Sequence, residues 1–217
     1  MKKSPMILLT GIAFPLAVAV VSLAAKEHGK PILETYSAKV VPAAQKGKGV
    51  SGGVPDQNYR LSGVQMYDIV EARIQEFSTD QEVADLAQAF REGGDKALEK
   101  AFKKSKKGYF KIGQSFETDI LYVTLNKAAP DASGSEGPVR ILGIVGKVPD
   151  TLSIDTQTGL NAPRYTYTYI ELRVNEQGQG TGLLVVSAFV NFDEQSRPII
   201  KPLYKQTFQL GYVRSEK

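Results

Sequence analysis

Arg164-Tyr165-Thr166-Tyr167-Thr168-Tyr169-Ile170-Glu171-Leu172-Arg173-Val174, then Asn175-Glu176-Gln177-Gly178-Gln179-Gly180-Thr181-Gly182, then Leu183-Leu184-Val185-Val186-Ser187-Ala188-Phe189-Val190-Asn191-Phe192, is the stretch on which the fold turns. The first run alternates with period two. Tyr165, Tyr167, Tyr169, Glu171 and Arg173 share one face of a strand, and Thr166, Thr168, Ile170, Leu172 and Val174 share the other. The middle run is a glycine-rich turn, so the three together read as a β-hairpin. The last run is apolar in both phases: Leu184, Val186, Ala188, Val190 and Phe192 in one, Leu183, Val185 and Phe189 in the other. A strand of that kind lies inside a sheet and is covered on both faces.

Outward from the hairpin, further strands are predicted at Val70 to Ile74, Tyr109 to Ile112, Ile120 to Leu125, Val139 to Val148 and Leu203 to Val213. Between the first two, Ser78-Thr79-Asp80-Gln81-Glu82 carries a capping-box pattern, and Val83, Leu86, Ala87 and Phe90 follow at helical spacing. Gly93-Gly94 predicts a helix stop, and Asp95 then caps a second short helix with Leu98, Ala101 and Phe102 inward. The expectation is an α+β domain: a strongly bent antiparallel sheet of about six to seven strands with a two-helix pair on one face.

Upstream, Lys2 and Lys3 precede an apolar run from Met6 to Ala25, and Ser22-Leu23-Ala24 supplies small residues for cleavage. Residues 1–24 thus read as a secretion signal. The competing reading is an uncleaved anchor, because about 20 apolar residues can span a bilayer. Residues 25–62 contain Pro31, Pro42, Pro55 and the Lys46–Gly53 run and read as a flexible linker. Residues 63–217 are expected to form a single α+β domain. The protein is expected to be exported, periplasmic or secreted, and to meet a membrane only through the N-terminal segment if that is retained.

Composition narrows function by exclusion. The net charge is +4, but Lys2 and Lys3 lie in the signal, so 25 basic residues face 23 acidic ones in the remainder. That near balance gives no electrostatic footprint for nucleic acid. Without cysteine there is no disulfide framework and no thiolate chemistry, and the single histidine, His28, rules out a multi-histidine metal site. No catalytic constellation and no metal-binding set is legible in the spacing, so an enzyme is not expected, nor a cofactor. Gly178-x-Gly180-x-Gly182 leads into a strand, not into a helix whose N-terminus could meet a phosphate.

Two sets of residues are candidates for binding. Tyr165, Tyr167 and Tyr169, with Arg173 further along the same face, form a row of rings that could line a site for a small apolar or aromatic ligand. The competing structural reading packs those rings under the helices. Lys103, Lys104, Lys106 and Lys107 form a basic corner suited to lipid headgroups or an anionic wall polymer, or to plain solvation.

Arg91–Leu98, Gly108-Tyr109-Phe110, and Tyr169–Val174 leading to Gly178–Gly182 resemble segments of a group of exported bacterial proteins with no assigned activity. The resemblance covers about Val64 to Lys217 and implies export and one domain, without implying an activity. The functional expectation is a non-catalytic envelope protein that binds a small apolar or aromatic ligand. The alternative is a structural or interaction module that meets another envelope component through a sheet edge or the basic corner.

Overall fold

A computed structural model describes residues 30–41, 68–128, 139–152, 165–203 and 207–216. Contacts divide the chain into Met1–Pro31 and Ile32–Lys217, and the strands and helix all belong to the second unit. Residues 1–24, read above as a secretion signal, and the Lys46–Gly53 run lie outside the described residues.

Among the described residues there are nine strands: β1 Glu34–Val41, β2 Ile69–Ile74, β3 Gly108–Ile112, β4 Thr118–Ala128, β5 Val139–Lys147, β6 Tyr167–Val174, β7 Gln179–Phe192, β8 Pro198–Pro202 and β9 Phe208–Glu216. One helix, α1 Asp80–Phe102, joins β2 to β3, and a short 3-10 turn spans Asp150–Leu152. The strand order is β6-β5-β4-β3-β2-β1-β9-β7-β8, with β6 also paired to β7. Every pairing is antiparallel. The β6–β7 pairing closes eight strands into a barrel, and β8 is the extra strand, attached along the second half of β7.

This corrects the expected α+β architecture. The sheet is not bent and open with a helix pair on one face. It is a closed eight-stranded antiparallel β-barrel with one extra strand and a single helix, and the protein is mostly β. The first reason is β1, which lies within the stretch read as a linker. It pairs with β2 from Glu34↔Ile74 to Lys39↔Ile69 and with β9 from Thr35↔Glu216 to Val41↔Gln209, so it is the stave that completes the ring. The second reason is Gly94. It departs from the helix at φ 60° and ψ −152°, yet helical geometry resumes directly after it. Only glycine adopts that conformation readily, so Gly93-Gly94 kinks one helix instead of ending it.

The barrel interior is filled by side chains, as eight staves allow. Tyr36, Ala38 and Val40 of β1, Val70, Ala72 and Ile74 of β2, Phe110 of β3, Leu142 and Ile144 of β5, Ile170, Leu172 and Val174 of β6, and Phe208 and Leu210 of β9 belong to one core cluster. Gly146 makes room for one of the largest: a Cβ there would collide with Phe110 and lie 2.9 Å from the Asp119 carbonyl oxygen. Phe77 and Leu152 join the same cluster from the connections that flank the strands.

A second cluster lies on the outer wall. Leu86, Ala87, Leu98 and Phe102 of α1 pack on Leu121 and Tyr122 of β4, Val145 of β5, Tyr167 of β6, and Val190 and Phe192 of β7. Two register shifts build this pad. One falls between Ile120 and Tyr122, so that Leu121 and Tyr122 both point at the helix. The other falls between Tyr167↔Ala188 and Tyr169↔Val185; beyond it the alternate residues of β7 leave the interior, and Val190 and Phe192 face α1. The phase of β7 from Leu184 to Phe192 is buried throughout because it serves two cores in succession.

Candidate functional site

The layer between α1 and the barrel wall contains Tyr167 and Tyr169 of the tyrosine stripe. Tyr167 is buried, and its ring meets Phe102 edge-on at 5.0 Å between centroids. Tyr169 is half-buried, packs against the same cluster, and its hydroxyl donates to Glu171 Oε2 at 3.1 Å. Tyr165 is the residue where the chain turns toward β6, at φ 70°. Arg173 continues the face out to solvent, where its Nε pairs with Glu171 at 2.9 Å. The stripe is therefore graded, with Tyr167 deep, Tyr169 intermediate and Arg173 exposed.

What sequence reasoning missed here is Tyr122, brought into the layer by the β4 register shift. The hydroxyls of Tyr122 and Tyr167 are both buried and find no hydrogen-bond partner among the described residues. The Thr124 hydroxyl stands beside Tyr122 but falls outside hydrogen-bond geometry to it, and donates to the Gly143 carbonyl at 3.4 Å. Burial raises the Tyr122 phenol to about 12. Burial also raises Tyr167, and the carboxylates of Glu99 and Asp95 add to the effect. Tyr169 is raised by burial and by the charge of Glu171. All three phenols stay protonated, and each can donate one hydrogen bond and accept others.

The helix over this layer is fixed at its start and kinked in its middle. Thr79 and Glu82 form a reciprocal capping box, with Glu82 N donating to Thr79 Oγ1 at 3.2 Å and Thr79 N donating to Glu82 Oε2 at 2.8 Å. The other oxygen of Glu82 accepts from Lys107 Nζ at 2.6 Å, and Glu76 accepts from the same ammonium at 2.7 Å. Lys107 is thus turned inward, its side chain 4% exposed. Burial disfavours its charge, but the two carboxylates outweigh that and hold it above its ordinary value.

The basic corner does not stay together. Lys107 is consumed in that ion triad. Lys103 pairs with Glu99 at 3.1 Å, one turn back on the helix, and Lys106 pairs with Asp119 at 2.9 Å, which Lys147 also meets at 2.7 Å. Lys104 is exposed. Elsewhere, Arg140 at the start of β5 reaches Glu34 at the start of β1, donating at 2.8 and 3.0 Å, and the Tyr36 hydroxyl donates to the same carboxylate. Those strands stand four staves apart in the ring, so this ion pair crosses the barrel.

Among the described residues, no three His, Cys, Asp or Glu side chains are grouped to hold a metal ion, and no helix is long and apolar enough to cross a membrane. Compared with protein-family models, curated proteins and solved structures, the chain matches none.

Proposed function

We propose that this is a non-catalytic, exported binding protein that takes a small, mainly apolar ligand bearing a polar group between α1 and the tyrosine-bearing wall of the barrel. The observation that carries this reading is the pair of buried, unpartnered hydroxyls of Tyr122 and Tyr167 in an otherwise apolar layer. A buried hydroxyl without a partner costs about 1–3 kcal/mol, so a ligand group that bonds to it recovers that loss on binding. The filled barrel interior favours the helix layer over the lumen as the place of binding.

The test is a ligand screen read by amide chemical shifts. Hits should perturb residues of α1 and the strand positions around Tyr122 and Tyr167, and their affinity should fall in Tyr167→Ala. Hits that leave this layer unmoved, or that bind wild type and variant equally, refute the reading.

A second reading is favoured by one observation. Among the described residues β8 ends the strand order and pairs with β7 alone, which leaves an outer edge, with Ile200 as its backbone donor between Pro198 and Pro202, for strand addition by another envelope component. Pull-down from envelope extract with an Ile200→Pro variant tests it, because the hydrogen bonds of Leu203 and Asp193 across the β7–β8 ladder turn the Ile200 N–H to the outer edge, and proline removes that donor. Capture that is indifferent to the substitution counts against it.

A further inference from the structure

On the reading that the helix layer is the binding site, we propose that its ligand is an apolar amine, bound as the ammonium between the Asp95 carboxylate and the Tyr167 hydroxyl. Asp95, Leu98, Glu99 and Phe102 fall at three- and four-residue spacing, so they occupy one stripe of the helix. Leu98 and Phe102 of that stripe cover Tyr167. Asp95 follows the kink residue directly, is only partly exposed, and makes no ion pair or hydrogen bond among the described residues. An unpaired carboxylate thus shares a helix stripe with the side chains packed against a buried phenol that also lacks a partner among the described residues. Both carboxylates on the stripe act electrostatically on the Tyr167 phenol.

The chemistry of these groups selects among ligands. An ammonium has N–H donors for both the phenol oxygen and the carboxylate, and aromatic faces attract a cation. A carboxylate ligand would meet Asp95 and Glu99 as like charges. An alcohol would satisfy the phenol and leave Asp95 without a counter-charge. Among the described residues the nearby cations are directed elsewhere: Lys103 to Glu99, Arg173 to Glu171, and Arg91 to the Ser196 hydroxyl at 2.7 Å, while Lys96 and Lys100 are exposed.

The full chain should be titrated calorimetrically at neutral pH with 2-phenylethylamine, 2-phenylethanol and 3-phenylpropanoate, which share a ring and differ in the polar group. The amine should bind about ten-fold or more tightly than the alcohol, as a charge-assisted hydrogen bond implies, with the carboxylate weakest. Asp95→Asn should remove that advantage and leave the alcohol's affinity unchanged. Tyr167→Phe should weaken amine and alcohol alike. Both side chains can be replaced without opening a cavity, and unchanged circular dichroism checks folding. If the alcohol binds as tightly as the amine, or if Asp95→Asn changes nothing, the amine assignment is overturned while the helix-layer site stands. If none of the three binds, the site and this inference are both overturned.

Discussion

Tyr167→Phe should make the unliganded protein more stable. The substitution removes one oxygen and leaves the ring, so the edge contact with Phe102 survives. The hydroxyl it removes is buried and unpartnered. Folding strips that group of water and gives nothing in return, a penalty of about 1–3 kcal/mol. For a chain of this size each kcal/mol is worth about 2–4 °C in Tm, so the variant should melt several degrees higher. Tyr122→Phe should behave alike, and the two gains should add closely if the hydroxyls do not share a neighbour. Tyr36→Phe is the internal control and should go the other way. Its hydroxyl donates to the Glu34 carboxylate that also holds Arg140, so about 1.5–3 kcal/mol should be lost. Urea and thermal melts of the three variants decide the matter. A loss of stability in Tyr167→Phe of the size seen for Tyr36→Phe would mean that its hydroxyl is already bonded, and the motive for a site beneath the helix would go with it.

Further outcomes are expected from features away from that layer. Gly146→Ala should destabilise by about 1–3 kcal/mol through overpacking against Phe110; Gly146→Ala with Phe110→Leu should recover part of the loss in chemical melts, and no recovery would point to the Asp119 carbonyl instead. Lys107→Ala should cost about 1–3 kcal/mol at neutral pH, because it leaves the carboxylates of Glu76 and Glu82 facing each other, although both are partly exposed. Glu82 is held below its ordinary value in the intact triad, where bonds from Lys107 and Thr79 outweigh burial. The stability it contributes is present above the unfolded carboxyl range and is lost as pH falls, so wild type and Lys107→Ala should converge in acid. At the alkaline end, burial raises Tyr36, Tyr122, Tyr167 and Tyr169, and Tyr122 reaches about 12. The folded chain then holds more protons than the unfolded one above about pH 10, so stability should decline from there upward. Phenolate absorbance from these four should appear together with unfolding; ordinary titration near pH 10 in a folded protein would contradict their burial.

Seven of the nine described strands were legible, most by alternation, since a wall with one face in a core must repeat with period two, and β7 as a run apolar in both phases. Of the tyrosine stripe, Tyr167 and Tyr169 lie in β6 against the helix, while Tyr165 falls in the turn before it. β1 was hidden because Pro31, Pro42 and the glycine-lysine run beyond them outweighed the eight-residue alternation of Tyr36, Ala38 and Val40 with Ser37 and Lys39. β8 was hidden between Pro198 and Pro202, where a short edge strand tolerates residues that a central one does not. Gly93-Gly94 carries the usual signal for a helix end, but the chain returns to helix because Leu98 and Phe102 find the same wall as Leu86 and Ala87. Ring closure has no local signature, for it rests on contacts between the two ends of the unit. Tyr122 entered the site only through a register shift, and an unpartnered hydroxyl can be recognised only once its neighbours are placed.

The pairing of β1 with β9 has a kinetic consequence. Thr35 lies beside Glu216, so the seam brings together residues from the two extremes of the unit. Contacts so distant along the chain form late and slowly. Until β9 docks, β1 and β7 each present a bare row of backbone donors and acceptors, the template on which neighbouring molecules polymerise. β9 acts as the latch of a hoop, and a molecule clipped just before Phe208 would be a sticky ribbon with two raw margins.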